Sequence, residues 1–483
     1  MLALRRPFAA TSRRLAARRL SSASPAGAGA TATDLPSRAD VVVVGGGSIG
    51  ASVLYHLQQL GLDAVLLERD LLTSGTTWHS AGMLWRLRPS DADIELHAYS
   101  RSQLLALEEQ TGEACWDQNG GLFIACNAER LAEYERLAET GRYFGVESAV
   151  LAPSEIESVH PLVATGDVYA ALHSPGDGTI DPTGVVNAYA KAARALGARV
   201  FEHEAVVGVE TERTEGLVGA GGGDEPRRVT AVRTSSGGRI ETPWVVNACG
   251  AWANSLAAMV GARLPLLAMK HAFVLTESMP GMHRGLPNVR DHDLSIYLKT
   301  QGDAMAIGGY EQNPEFWHGA AAAAAAAGDK DGDGAAAPPF AFGLFDLDWD
   351  TFGQNLEGHM RRCPAIEHAG IKSTVCGPES FTPDHKPLVG PQPGVRGFFN
   401  ACGFNSMGMM LGGGIGRECA RWIAEGSPAL DLFGYDCARY HPGTVADERW
   451  VFHRTHESYA KYVLLAACCL LPAHAPHLLR QPR

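Results

Sequence analysis

The chain has 483 residues, enough to bury a core larger than that of one ordinary domain. At 46% hydrophobic and 19% charged it has the balance of a globular protein, neither disordered nor fibrous. A formal net charge of −12 argues against a nucleic-acid partner. The first segment in chain order reads as an address. Arg5, Arg6, Arg13, Arg14, Arg18 and Arg19 are spaced by Ser and Ala, and no acid precedes Asp34. Arg-rich, Ser-rich and acid-poor is the composition of a mitochondrial transit peptide, assigned to residues 1–34.

The run Asp40-Val41-Val42-Val43-Val44 predicts a buried parallel strand. It passes directly into Gly45-Gly46-Gly47-Ser48-Ile49-Gly50, which fits G-x-G-x-x-G at Gly45, Gly47 and Gly50. The first glycine permits the tight turn, the second lets backbone approach a pyrophosphate, and the third allows close helix–strand packing. Val53, Leu54, Leu57 and Leu60 follow at helical spacing, and Gly61 closes that helix. Its N-terminus would present free N–H groups to phosphates. A second apolar strand, Ala64-Val65-Leu66-Leu67, leads to Glu68, whose carboxylate can accept from ribose hydroxyls. Strand, glycines, helix, strand and acid in register predict a dinucleotide site.

NAD and FAD share that signature. An NAD domain would continue its strand–helix alternation, whereas this chain enters the hydroxyl-rich loop Leu71-Leu72-Thr73-Ser74-Gly75-Thr76-Thr77-Trp78-His79-Ser80-Ala81-Gly82. Here the chain resembles the dimethylglycine/sarcosine dehydrogenase family, within the glycine-oxidase-like flavoproteins. Further strings carry the likeness, among them Asp177-Gly178-Thr179-Ile180-Asp181-Pro182, Pro287-Asn288-Val289-Arg290-Asp291-His292-Asp293 and Ser373-Thr374-Val375-Cys376-Gly377-Pro378-Glu379-Ser380. Several fit the sarcosine-oxidising members better, which makes sarcosine the expected substrate.

The resemblance implies an α/β fold: a Rossmann-like FAD-binding domain of the glycine/D-amino-acid oxidase type, interleaved with an α+β substrate domain. It implies FAD bonded covalently through His79, where a merely packing or turn-capping histidine is the rival reading. Cofactor contacts are implied at Gly45, Gly47, Ser48, Ile49, Gly50, Glu68, Arg69, Gly75, Thr76, Thr77, Trp78, Ser80, Ala81, Gly82 and Met83. Others are implied at Val206, Gly250, Gly403, Phe404, Asn405 and Ser406, the last four heading a helix whose N-terminus would favour negative charge on the reduced flavin. His271 and Tyr297 are the implied catalytic residues. Arg86, Arg88, Lys270 and Lys299 are candidates for holding the substrate carboxylate. The family's partner, an electron-transferring flavoprotein, and the mitochondrial matrix follow by the same resemblance.

The expected flavoprotein module spans residues 35–436, with its FAD part at 35–98, 177–261 and 373–436. The substrate part covers 99–176 and 262–372 and holds an Ala/Gly insertion at 319–339, expected to be a disordered surface loop. Residues 437–483 read as a truncated tail. Full-length members continue into a folate-binding domain, so tetrahydrofolate has no expected site here. Ten cysteines form no C-x-x-C pair, which predicts reduced thiols and no metal site. The apolar run at 463–471 is far shorter than the ~20 residues of a membrane span. Three rival functions remain: oxidation of dimethylglycine or another N-methyl amino acid, a non-catalytic subunit such as a pyruvate dehydrogenase phosphatase regulatory subunit, and an NAD-dependent dehydrogenase.

Overall fold

The computed structural model describes residues 35–214, 226–318 and 340–461. The expected transit peptide, the Ala/Gly insertion and residues 462–483 of the tail lie outside these. The unbroken valine run does form a strand, Val41–Val44, with every residue buried. It lies inside a six-stranded sheet ordered Leu388–Pro391, Phe398–Cys402, Trp244–Asn247, Val41–Val44, Ala64–Leu67, Arg199–Phe201. Five of these strands run parallel, and Leu388–Pro391 closes one edge antiparallel.

The two faces of this sheet bury different partners, as a side-chain period of two requires. Val41, Val43, Ala64 and Leu66 pack into a large core with the helices Ser48–Gln59, Asp91–Thr111, Pro182–Ala195 and Gly408–Glu425. Val42, Val44, Val65 and Leu67 pack on the other side with Val209, Val229, Val232 and Ile240. Those residues come from a small sheet built on Val206–Arg213, Arg227–Thr234 and Arg239–Glu241.

An eight-stranded sheet carries the second core. Its order is Ile371–Phe381, Leu267–Thr276, Ala304–Gly309, Ile296–Gln301, Asn288–Asp291, Gly121–Ala125, Ala170–Ser174, Ala149–Leu151. Only Asn288–Asp291 and Gly121–Ala125 pair in parallel. Met83–Leu84, Gly178–Ile180 and Trp116–Asp117 form a short sheet beside it. The fold is the expected α/β arrangement, a mostly parallel sheet with an interleaved α+β part.

The boundaries within it move. Helix Asp91–Thr111 crosses the expected limit at residue 99 and belongs with the cofactor-side helices, because Ile94, Leu96, Leu104 and Leu107 bury into their core. Strand Ile371–Phe381 crosses the limit at 372, because all of it pairs with Leu267–Thr276. Residues 437–461 are not a loose tail: Cys437, Val451 and Tyr459 are buried in the body. No described helix is long and apolar enough to cross a membrane.

Candidate active site

The glycine fingerprint builds its turn by close contact. Gly45 has φ +110° and its carbonyl lies where a Cβ on Gly50 would be, 1.9 Å away. The turn and the start of helix Ser48–Gln59 therefore interlock only through glycine. That helix has no side-chain N-cap hydrogen bond and no acid in its first turn, so its dipole and the leading N–H groups after that of Ser48 are available to an anion. The Ser48 N–H donates to Thr77 Oγ1 at 3.1 Å, joining the fingerprint to the Thr-Trp-His loop. Glu68 closes the other side, accepting from the Gly46 N–H at 2.6 Å and the Asp70 N–H at 3.0 Å. Burial pushes its carboxyl up, against those two hydrogen bonds.

From this turn a cavity enclosing about 1310 Å³, its open mouth included, runs across the carboxyl ends of the sheet strands. Gly45, Gly47, Ser48, Ile49, Glu68, Arg69, Gly75, Thr76, Thr77, Ser80, Val206, Gly250, Phe404, Asn405 and Ser406 line it. Cys249, Trp252, Ser255, Leu256 and Met259 do too, and the sequence had not marked them. Three expected contacts line neither this cavity nor the second one that adjoins it. Gly50 serves packing, and Gly403, with φ +68°, turns against Thr382 and Leu266. Trp78 packs edge-on to Phe342 and His79.

His79, Ser80, Ala81, Gly82 and Met83 pass from this cavity into a second of about 720 Å³, which shares Ser80, Glu379, Ser406 and Met409 with the first. His79 is only 6% exposed, and its Nε2 has no hydrogen-bond partner among the described residues. Burial holds its imidazole down at about 4, against the pull of the Glu379 carboxylate. At neutral pH the ring thus keeps a lone pair. A buried nitrogen left unpaired is costly unless something else occupies its lone pair. A glycine cradle for phosphates, an acid for ribose and an orphaned nucleophilic nitrogen between two cavities fit a flavin dinucleotide.

The second cavity gathers what an amino acid would meet. His271 and Tyr297 both line it, with Phe273, Tyr310 and Trp85 as aromatic walls and Met407, Met409 and Met410 beside them. Of the four expected cations only Arg88 reaches it. Lys270 precedes His271 on the same strand, so it points to the opposite face, where it pairs with Glu315 at 2.7 Å. Lys299 is buried against Gln301 at 2.7 Å, and the Arg86 backbone N–H binds Asp177 at 2.9 Å, off this cavity. The second cation is Arg290, which lines the cavity and lies 5.1 Å over the Tyr310 ring. Arg290 and Tyr297 are directly opposed across the pair of strands Asn288–Asp291 and Ile296–Gln301.

Cys402 does not line either cavity; it is buried, and burial drives its thiol up. All eight cysteines among the described residues are free. Cys126, Asp291 and Asp293 come together with metal-like spacing, but Arg362 already bonds Asp291 at 2.9 Å and Cys126 at 3.1 Å.

Residues 40–422 match the model of the FAD dependent oxidoreductase family. The chain belongs to that family. The chain is 53% identical to mitochondrial sarcosine dehydrogenase of Mus musculus, covering 88% of this chain and 44% of that protein. It is 32% identical to mitochondrial dimethylglycine dehydrogenase of Rattus norvegicus, over 87% of this chain and 47% of that protein. The chain therefore spans about half the length of the curated relatives it matches. Among solved structures, L-proline dehydrogenase from P. horikoshii superposes with a TM-score of 0.70 at 24% identity, covering 85% of this chain and 99% of that one. The family's cofactor, FAD, is the dinucleotide that the glycine turn and the long cavity accommodate.

Proposed function

We propose that the chain is the catalytic module of a mitochondrial sarcosine dehydrogenase, with FAD joined covalently to His79. The observation that carries this reading is the meeting of His79, His271, Tyr297, Arg88 and Arg290 around one cavity. Arg88 and Arg290 supply positive charge for the substrate carboxylate, through charge-assisted hydrogen bonds. The Met and aromatic walls suit the small N-methyl group. Sarcosine reaches the cavity as an ammonium ion, and desolvation there disfavours the charged form. His271 takes the ammonium proton, and Tyr297 orients the nitrogen whose lone pair must drive C–H cleavage. Bound FAD would supply the acceptor for the methyl hydride, and hydrolysis of the imine left on the substrate would give glycine and formaldehyde. The neutral His79 imidazole has the lone pair that a covalent bond to the cofactor requires. Electrons would leave to an electron-transferring flavoprotein in the mitochondrial matrix, as the resemblance implies.

The test uses the full chain. In-gel flavin fluorescence after denaturation should follow the wild-type band and vanish in His79→Ala. Anaerobic bleaching of the flavin should be faster with sarcosine than with dimethylglycine. Faster bleaching by dimethylglycine would transfer the chain to the rival substrate. No bleaching by any N-methyl amino acid would sink the enzymatic reading.

A further inference from the structure

His271 begins a hydrogen-bonded chain that leads away from the substrate cavity. Its Nδ1 lies 2.7 Å from Tyr459 Oη, and that hydroxyl donates to a Glu311 carboxylate oxygen. The three residues come from separate places: strand Leu267–Thr276, helix Glu448–Ala460, and the segment just after strand Ala304–Gly309. Tyr459 is fully buried and Glu311 is 4% exposed, so neither is a chance surface contact. Edge-on packing against Phe381, with ring centroids 4.8 Å apart, and against Tyr310, at 5.3 Å, fixes the Tyr459 ring. Burial drives its phenol well above the ordinary value, so the hydroxyl keeps its proton.

A phenol has one proton to give. Since Tyr459 gives it to Glu311, its oxygen can only accept from His271, and the proton of the neutral imidazole must then sit on Nδ1. The lone pair is left on Nε2, the ring nitrogen that does not face Tyr459. We propose that Tyr459, held by Glu311, is a positioning residue that locks His271 in the Nδ1–H tautomer and so makes Nε2 the proton acceptor of the cavity. In the step this serves, an N–H bond of the substrate ammonium breaks and an Nε2–H bond forms. The positive charge then on His271 faces Glu311 through the phenol. Helix Glu448–Ala460, from the segment that reads as a tail, becomes part of the catalytic module. The proton-transfer step rests on the reading that the cavity takes a protonated amine; the tautomer does not.

Two measurements separate these. In the FAD-loaded full chain labelled with ¹⁵N-histidine, the His271 signals are those lost in His271→Asn. They should show the Nδ1–H tautomer in the wild type. Tyr459→Phe should give a mixture, and Glu311→Ala, which frees the phenol proton to turn toward Nδ1, should give the Nε2–H form. An Nε2–H wild type, or an unchanged tautomer in both variants, overturns the proposal. Should Tyr459→Phe fail to fold, Glu311→Ala decides alone. In kinetics, Tyr459→Phe should slow flavin reduction by sarcosine about 10- to 100-fold, and should cause no further loss in a His271→Asn background. Additive losses would make Tyr459 merely structural and overturn the proposal. A wild type that sarcosine and other N-methyl amino acids do not reduce would defeat the substrate reading, while the tautomer would still be decided by the ¹⁵N signals.

Discussion

The His79 ring lies where a side chain on Gly377 would be: a Cβ there would fall 2.4 Å from His79 Cε1. Gly377 is also the cross-strand partner of His271, so the missing side chain opens the gap beside His271 that His79 fills. Gly377→Ala should push the imidazole out of line. On the proposed linkage to His79, the covalently held flavin fraction should fall by about half or more, at a stability cost of about 1–3 kcal/mol. Gly377→Val should leave no fluorescent band on a denaturing gel. Full fluorescence in both variants would show that the ring has room to spare.

Gly47 and Gly50 should fail in different ways. A Cβ on Gly50 meets backbone, the Gly45 carbonyl, whereas on Gly47 it meets only Thr77 Oγ1, at 2.9 Å. Gly50→Ala is expected to destabilise the fold itself, by roughly 3 kcal/mol or more, since backbone cannot step aside. Gly47→Ala should fold nearly as well as wild type but lose FAD, because the methyl group occupies the approach to the pyrophosphate. Denaturant titration set beside the flavin absorbance of the purified protein distinguishes the two. Equal loss of stability would remove the distinction.

How legible was this site in the sequence? The cofactor half was readable because it is local: the glycine turn, its helix and the Thr-Trp-His loop lie within 43 residues of chain, from Asp40 to Gly82. The substrate half depends on which way each strand residue points. Asn288–Asp291 is buried at all four positions, so no polar–apolar alternation marked Arg290 as facing the cavity. Lys270 and His271 are adjacent and both half-buried, so Lys270 could not be set aside before its face was known. Tyr459 and Glu311 are 148 residues apart, beyond any local pattern. The domain limits moved because helix Asp91–Thr111 shows only weak amphipathic patterning, and what it packs against is settled by tertiary contact.

Arg290→Gln should weaken substrate binding more than it slows chemistry. A charge-assisted hydrogen bond to a carboxylate is worth about 1.5–3 kcal/mol, or roughly 10- to 150-fold in Kd. The Kd for sarcosine, read from the saturation of anaerobic flavin reduction, should rise by that factor, while the limiting rate changes far less. Arg290→Lys should recover only part of the loss, because the guanidinium also stacks over Tyr310. A Kd that does not move would shift carboxylate binding to Arg88 alone.

Stability should fall as the solution is acidified below about pH 6.5. Burial depresses the imidazoles of His56, His160 and His359 to about 4 from an ordinary 6.5. Between these values the unfolded chain binds protons that the folded chain refuses. Their contribution is therefore fully present above about 6.5 and is lost as pH falls through about 4. Each histidine contributes at most about 1.4 kcal/mol per pH unit in that window. Asp177 opposes them: burial pushes its carboxyl up to about 7, so folding gains from its protonation as pH falls toward the ordinary 3.8. Glu68 and Asp291, raised by burial too, act with it, while the depressed imidazoles of His97, His292 and His385 act with the other histidines, which leaves the net slope positive. His359→Gln keeps a donor for the Gly308 carbonyl, which His359 Nε2 meets at 2.9 Å, and removes the titration. Its Tm should depend less steeply on pH than that of wild type between pH 7 and 5, with the two curves closest at the acid end. Parallel curves would mean that His359 takes up its proton in the folded state as readily as in the unfolded one.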